Sequence, residues 1–334
     1  MSHQFESGMF VAQKAWHGLG TVVDKAPTTA EAIRIAGMDW QVTEEPLFTP
    51  DAPVDGWKCL RRSDNGGILH VCRETWTPLQ NSEAFEFFDP IIQDGDVELE
   101  AAISLQEGKR IAITAKIRDG IADVLPGDPV EQYLVLYNAH DGSLCLGVMF
   151  SNVRVVCANT LAAAISDRKR GGGVGKFIGS NEMAIGNKAI KLRHTKNIQT
   201  NLNTVRDSIN VARRQFTLTL EQYRAMASTP MGDDLFTEFL SQVFERRLKQ
   251  GDNAEALRAY EPIKAKFQAG VGIDIPGVRG TVWAGYQAVT EYVTHERGWG
   301  DDVEAARTRL NQVWFGEGHN IIQRAHDKAV ALCR

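Results

Sequence analysis

Residues 97–150 restrict the possible folds of this chain more than any other stretch. Val97–Leu105 alternates, with Val97, Leu99, Ala101 and Ile103 on one face, as a half-buried strand requires. The turn Gln106-Glu107-Gly108-Lys109 separates it from the apolar run Arg110–Ile117, which predicts a hairpin. A second hairpin follows. Tyr133–Tyr137 and Leu144–Phe150 are rich in β-branched and aromatic residues and flank a polar turn, Asn138–Ser143, that contains Asp141-Gly142. Four consecutive strands of this kind form one antiparallel sheet, and its apolar face needs a cover. After Ser151, a reasonable N-cap, the positions Val153, Val156, Cys157, Leu161, Ala164 and Ile165 fall at helical spacing. They predict a helix over 152–166 that packs on the sheet as an α+β layer.

Upstream, the first ten residues read as a flexible start, and Trp16-His17-Gly18-Leu19-Gly20 as a tight turn feeding a short strand at Thr21–Val23. Thr28 and Glu31 form a capping box for a helix that closes at Gly37. Trp40–Thr43 is a short strand, residues 45–57 a Pro/Asp loop, and Lys58–Arg62 with Gly67–Cys72 a hairpin around Asn65-Gly66. Asn81 or Ser82 caps a helix carrying Phe85, Phe88 and Ile92.

From about Asn181 onward no strand is expected. Ile198, Leu202, Val205, Ile209, Ala212 and Phe216 predict a long amphipathic helix. Further helices are expected near 233–249, 253–268, 281–296, 303–314 and 319–332, one of them carrying Trp283, Tyr286, Val289, Tyr292 and Val293 as an aromatic seam. The expected fold is therefore α+β. An antiparallel β-sheet with packed helices occupies residues 1–180, and a largely helical region, packed on it or independent, occupies 181–334.

Charge is distributed unevenly. The net charge of −5 combines 11 basic against 23 acidic residues in 1–150, 12 against 3 in 151–215, and 14 against 16 in 216–334. A basic block inside an acidic protein marks one face for an anionic partner, nucleic acid above all; its plainer alternative is a solvated helix face. The odd set of five cysteines (Cys59, Cys72, Cys145, Cys157, Cys333) suits free thiols in a reducing cytoplasm. No apolar run is long enough to span a bilayer and no N-terminal signal pattern stands out, so no membrane partner is expected.

The candidate phosphate contacts are Arg154, Arg168, Lys169, Arg170 and Lys176, the last closing the glycine-rich loop Gly171–Lys176. Lys188, Lys191, Arg193 and Lys196 extend the track, His194 joins it when protonated, and Asn159 offers a side-chain hydrogen bond. Trp16 can stack on a base, though a lone tryptophan is more often core. The loop is not a P-loop: Arg170 stands where the first glycine belongs and Phe177 where Ser or Thr would hold magnesium. Cys59, His70 and Cys72 fit no zinc spacing, and His140-Asp141, adjacent in a turn, point apart. No catalytic residue, metal site or cofactor is expected.

Three stretches resemble a known family. They are Trp16-His17-Gly18-Leu19-Gly20, Val153-Arg154-Val155-Val156-Cys157-Ala158-Asn159-Thr160-Leu161, and Gly280-Thr281 with Trp283, Ala288-Val289-Thr290-Glu291-Tyr292 and His295. Together they resemble the phage/plasmid-like proteins of domain of unknown function 932. The resemblance implies a mobile element in a bacterial cytoplasm, without a mechanism. In element order, consecutive strands followed by a helix are similar to the core of single-strand annealing proteins of the Rad type. That likeness implies homo-oligomeric rings or filaments holding single-stranded DNA.

The leading expectation is a non-enzymatic protein that binds or anneals single-stranded DNA in recombination or replication. A protein-interaction factor that inhibits a host nuclease or defence system, its acidic half mimicking DNA, is the second. A metal-dependent nuclease built on scattered carboxylates is the third.

Overall fold

The structure, a computed structural model, describes residues 5–12, 20–143, 146–154, 177–178, 183–185, 189–192, 208–248, 253–297 and 317–334. In chain order, β1 (Phe5–Val11) and β2 (Thr21–Val23) precede α1 (Thr29–Ile35). The strands β3 (Val42–Phe48), β4 (Pro53–Arg62) and β5 (Ile68–Arg73) follow, then the short helices α2 (Asn81–Glu86) and α3 (Asp89–Gln93). The long strands are β6 (Val97–Leu105), β7 (Arg110–Asp123), β8 (Pro129–Ala139) and β9 (Leu146–Arg154). Three short strands come next: β10 (Phe177–Ile178), β11 (Met183–Ile185) and β12 (Ala189–Leu192). The helices α4 (Ser208–Ser228), α5 (Asp233–Leu248), α6 (Asn253–Ala269), α7 (Val282–His295) and α8 (Glu317–Leu332) complete the described chain. The fold is α+β, with strands concentrated in the first half and helices in the second.

The main sheet runs β10-β11-β12-β9-β8-β7-β6-β1-β2. Its neighbours are antiparallel except β1 and β2, which are parallel. The two expected hairpins are its centre, β6–β7 and β8–β9. On β8, Leu134 and Leu136 join a core with Phe85, Phe88 and Ile91 of the short helices, whereas Tyr133, Val135 and Tyr137 join the other large core. Alternate residues on one strand thus serve opposite faces. The second core continues without a break into the helices through Val124, Val130, Trp283 and their neighbours.

Several expectations change. Within the expected flexible start, Phe5–Val11 form β1, paired with β6 and β2. The Pro/Asp loop at 45–57 is mostly strand, because β3 runs to Phe48 and β4 starts at Pro53. Both prolines are tolerated there, Pro46 on an edge strand and Pro53 at a strand start, where no ladder donor is lost. Val97, Leu99, Ala101 and Ile103 do not share a face. A bulge at Glu100 breaks the β6–β7 register between Leu99 and Ala101, so Val97 and Leu99 enter one core and Ile103 the other. Residues 152–154 are not the start of a helix: Gln132, Glu131 and Val130 pair with Asn152, Val153 and Arg154 as β9 continues. Cross-strand pairing of a β-branched run overrides the local N-cap signal; residues 155–166 lie outside the described residues. Strands also occur beyond Asn181, since β11 pairs with β12 and β12 with β9.

Other readings hold. The Thr28–Glu31 capping box is present. The Asn65-Gly66 turn joins β4 to β5, with the Gly66 N–H donating to Arg62 O. The α2 cap falls one residue earlier than expected, on Gln80, whose N–H donates to Glu83 Oε2 at 2.8 Å. The helices at 233–248, 253–269 and 282–295 match their expected spans, as does that at 317–332. The 303–314 helix and the first turns expected before Ser208 lie outside the described residues. Helix α7 contacts α4, α6 and α8, and its residues 282–294 are all buried. Its aromatic seam is core.

Candidate functional site

The sequence track of cations meets the structure at two described residues. Lys191 occupies β12 opposite Gly147 of β9. Arg154 ends β9, but its side chain does not reach solvent. It is 2% exposed, and Asp128, in the β7–β8 turn, is 0% exposed. Arg154 Nε donates to Asp128 Oδ1 at 2.5 Å and Nη2 to Oδ2 at 2.8 Å. Trp283 Nε1 on α7 donates to the same Oδ2 at 2.8 Å. Arg154 further donates to the carbonyls of Val271 and Gly272, each at 3.2 Å. A Cβ at Gly272, where φ is +75°, would stand 2.8 Å from Arg154 Nη2, so the close approach requires glycine. Arg154 is therefore a buried tie between sheet and helices and is withdrawn from the phosphate contacts. Trp16, Asn159, Arg168, Lys169, Arg170 and Lys176 lie outside the described residues, as do Lys188, Arg193, His194 and Lys196.

Backbone topology still locates the ends of the basic segment. β9 is described as far as Arg154, and the next described strand, β10, begins at Phe177 in the same sheet, where β10, β11 and β12 extend it beyond β9. Residues 155–176 are thus bounded by β9 and by the edge strand β10, both in that part of the sheet.

A cavity of about 620 Å³ opens between the β8–β9 pair and helices α4, α7 and α8. Its most buried lining is Gln132, Tyr223, Tyr286 and Ile322, while Leu218, Asp327 and Arg334 are exposed at its outer end. Gln132 and Asn152 are register partners across β8 and β9, which puts their amides side by side. The Tyr223 hydroxyl hydrogen-bonds Tyr286 and Asn152, and burial pushes its pKa up to about 12. Burial also drives Tyr286 well above the usual phenol range, so both hydroxyls remain protonated at neutral pH. The His326 ring stands edge-on to Tyr223 and Tyr286, at 6.0 and 5.8 Å between centroids. Its Nδ1 is 3.5 Å from Asp327 Oδ1, and neither ring nitrogen has a hydrogen-bond partner among the described residues.

Sequence reasoning missed this cavity. Tyr286 was visible only as part of an aromatic seam, and no local signal links Gln132 to Tyr223 or His326.

A second polar group lies at the Glu100 bulge. Lys116 pairs with Glu131, and Tyr133 OH donates to Glu131 Oε2 at 2.8 Å. Burial pushes the Glu100 carboxyl up to about 7; Lys116 opposes the shift, and Glu131 and Glu98 add to it.

His140 and Asp141 do point apart. His140 Nε2 is 2.9 Å from Asn81 Oδ1, whereas Asp141 accepts from the Ser143 N–H at 2.8 Å. Cys59 and Cys72 are buried free thiols, and burial raises the Cys72 pKa. Among the described residues no group of three or more His, Cys, Asp or Glu side chains is placed to hold a metal, and no helix is long and apolar enough to cross a membrane.

These features define a mixed α+β protein whose antiparallel sheet is tied to a helical bundle through a buried Asp–Arg–Trp cluster. The chain belongs to the family described as Domain of unknown function (DUF932), which matches residues 68–176 and 172–314. Asp128, Arg154 and Trp283 all fall within the matched residues. Comparison with curated proteins and with solved structures gives no match.

Proposed function

We propose that the protein binds single-stranded DNA of a phage or plasmid in a bacterial cytoplasm, as a non-enzymatic homo-oligomer that protects or anneals strands. The observation that supports this most is the excess of 12 basic over 3 acidic residues in 151–215, within a protein of net charge −5. The segment holding Arg168, Lys169, Arg170 and Lys176 runs between β9 and β10, and Lys188 lies between β11 and β12, all in the β10-β11-β12-β9 part of the sheet. The acidic remainder repels phosphate and confines a strand to that side.

Phosphate contacts carry no sequence information, so binding is sequence-tolerant and weakens steeply with salt. Fluorescence-anisotropy titration of single-stranded and duplex oligonucleotides across a salt series tests the reading. Salt-sensitive binding that favours single strands is the expected result. Replacing Arg168, Lys169 and Arg170 together by Ala lowers affinity and flattens the log–log salt slope by roughly two to three units. An unchanged slope removes these three residues from the interface, and no binding at low salt removes the whole reading.

The acidic first half, with 23 acidic against 11 basic residues, supports a second reading. In it the protein occupies the basic groove of a host nuclease or defence protein. That reading predicts a stoichiometric host partner released by salt, together with indifference to DNA.

A further inference from the structure

We propose that the cavity between β8–β9 and helices α4, α7 and α8 is a binding site for a single nucleobase, presented as a free nucleoside or as an unstacked base of a bound strand. The strand-borne form rests on the nucleic-acid reading above; the free nucleoside form does not.

Size sets the first limit. A volume of about 620 Å³ falls among small-molecule sites and is too small for a folded partner. Charge sets the second. The buried lining, Gln132, Tyr223, Tyr286 and Ile322, carries no formal charge, because both phenols keep their protons. The charged side chains of the lining, Asp327 and Arg334, are exposed and of opposite sign. An anion such as free phosphate would find no buried cation, and a metal ion no set of carboxylates.

Hydrogen-bonding capacity then separates a polar heterocycle from a lipid chain. Four amides line the cavity: Gln132, Asn152, Gln222 and Gln323. An amide carries a donor beside an acceptor, the pairing the edge of a nucleobase requires, although the Gln323 Nε2 already donates to Asp327 Oδ1 at 2.8 Å. The Asn152 amide donates to the Tyr223 hydroxyl, and its Oδ1 has no partner among the described residues. With the His326 ring nitrogens, that oxygen is hydrogen-bonding capacity not used among the described residues. Phe150, Leu218, Ile322 and Val330 supply apolar surface for the faces of a planar ring. A fatty chain would leave Asn152 Oδ1 and the His326 nitrogens facing hydrocarbon, at a cost for each unpaired group. The cavity also borders Asn152, two residues before Arg154, the last described residue ahead of Arg168, Lys169 and Arg170.

The test is titration of the full-length protein with adenosine, guanosine, cytidine and thymidine, followed by calorimetry and saturation-transfer NMR. Saturable binding that barely responds to salt is expected, because nucleosides are uncharged. Leu218, exposed at the outer end, is replaced by Trp to fill the opening without touching the core. Leu218→Trp should weaken nucleoside binding by about tenfold or more, the scale of one lost stacking contact. His326→Phe keeps the ring and removes its nitrogens, and should also weaken binding.

The triple replacement of Arg168, Lys169 and Arg170 by Ala should leave nucleoside affinity unchanged while strand affinity falls. Absence of saturable binding for all four nucleosides overturns the proposal even if strands bind. Equal nucleoside affinity in Leu218→Trp and the parent overturns the location. Nucleoside binding without strand binding supports the site and refutes only the nucleic-acid reading.

Discussion

Arg154 and Asp128 form a two-pronged ion pair that is almost completely shielded from water, with N–O distances of 2.5 and 2.8 Å. The pair joins the end of β9 to the β7–β8 turn. The Trp283 indole N–H, shared with the same carboxylate, brings in α7. Two stretches that carry the family resemblance, one around Arg154 and one around Trp283, are 129 positions apart in sequence yet converge on a single aspartate. The arginine side chain is spent on ties between sheet and helices and is almost completely shielded from solvent.

Asp128→Ala is expected to destabilise the protein by about 3–5 kcal/mol, because it leaves a buried guanidinium uncompensated. The paired replacement Asp128→Leu with Arg154→Met removes both charges and should cost less than Asp128→Ala alone. Urea denaturation of the three proteins measures the order. Strand binding by the double variant should keep the parent's salt slope, since Arg154 contacts no phosphate. A flattened slope would return Arg154 to the interface.

Glu100 predicts a pH dependence of stability. Burial raises its carboxyl to about 7 in the folded chain, against about 4.3 in an unfolded one. Below the unfolded value the group is protonated in both states and costs nothing. As pH rises from there to 7 the unfolded chain ionises first, so the folded state loses stability, and above 7 the penalty is constant. Lys116 faces the group and reduces the effect, while Glu131 and Glu98 increase it. Glu100→Gln cannot ionise. Its stability relative to the parent should therefore climb between pH 4 and pH 7 and level off above, in a series of denaturant midpoints. A pH-independent difference would mean that Glu100 ionises normally in the folded protein.

What could be read from the sequence follows from how local each signal is. The β6–β7 and β8–β9 hairpins were legible because each combines alternation or an apolar run with a turn inside a few residues. The Thr28–Glu31 cap and the helices at 233–248, 253–269, 282–295 and 317–332 were legible for the same reason. The Glu100 bulge was not. One inserted residue leaves Val97, Leu99, Ala101 and Ile103 looking like a single face, although the register reverses between Leu99 and Ala101. The end of β9 misled for another reason, since Ser151 followed by spaced valines satisfies a helix start as well as a strand. Strands β11 and β12 are three and four residues long and exist by pairing at one side of the sheet, which leaves little periodicity to detect. Of the candidate phosphate contacts, Arg154 was misassigned because charge gives no indication of burial. The cavity was invisible because its lining comes from elements that only the tertiary fold assembles.

Gly147 supplies a packing prediction. It stands opposite Tyr137 across β8–β9, and a Cβ there would lie 2.2 Å from the Tyr137 ring and hydroxyl. The ring covers the glycine, an arrangement that compensates the missing side chain on a strand. Gly147→Ala forces the ring aside in a dense core and should cost about 1–3 kcal/mol. Gly147→Ala combined with Tyr137→Leu should recover part of that loss. Thermal unfolding of the single and double variants decides it, and a Gly147→Ala protein as stable as the parent would show that the ring moves freely.

The small sheet β3–β4–β5 is held to the large one through Arg62, whose side chain is 4% exposed. The guanidinium donates to Glu6 of β1, to Asp64 Oδ2 at 2.7 Å, and lies 4.3 Å over the Trp40 ring. This is a planar group serving two carboxylates and an aromatic face, which a lysine ammonium cannot reproduce. Arg62→Lys keeps the charge, so any loss reports geometry. The expected cost is about 1–2 kcal/mol, because both carboxylates are partly exposed and regain water. Its location is more diagnostic than its size. Hydrogen exchange should accelerate across β3, β4 and β5 while the amides of β7 and β8 keep their protection, because only the small sheet loses its tie. Uniform acceleration through both sheets would mean that Arg62 supports the whole domain and that the small sheet does not open separately.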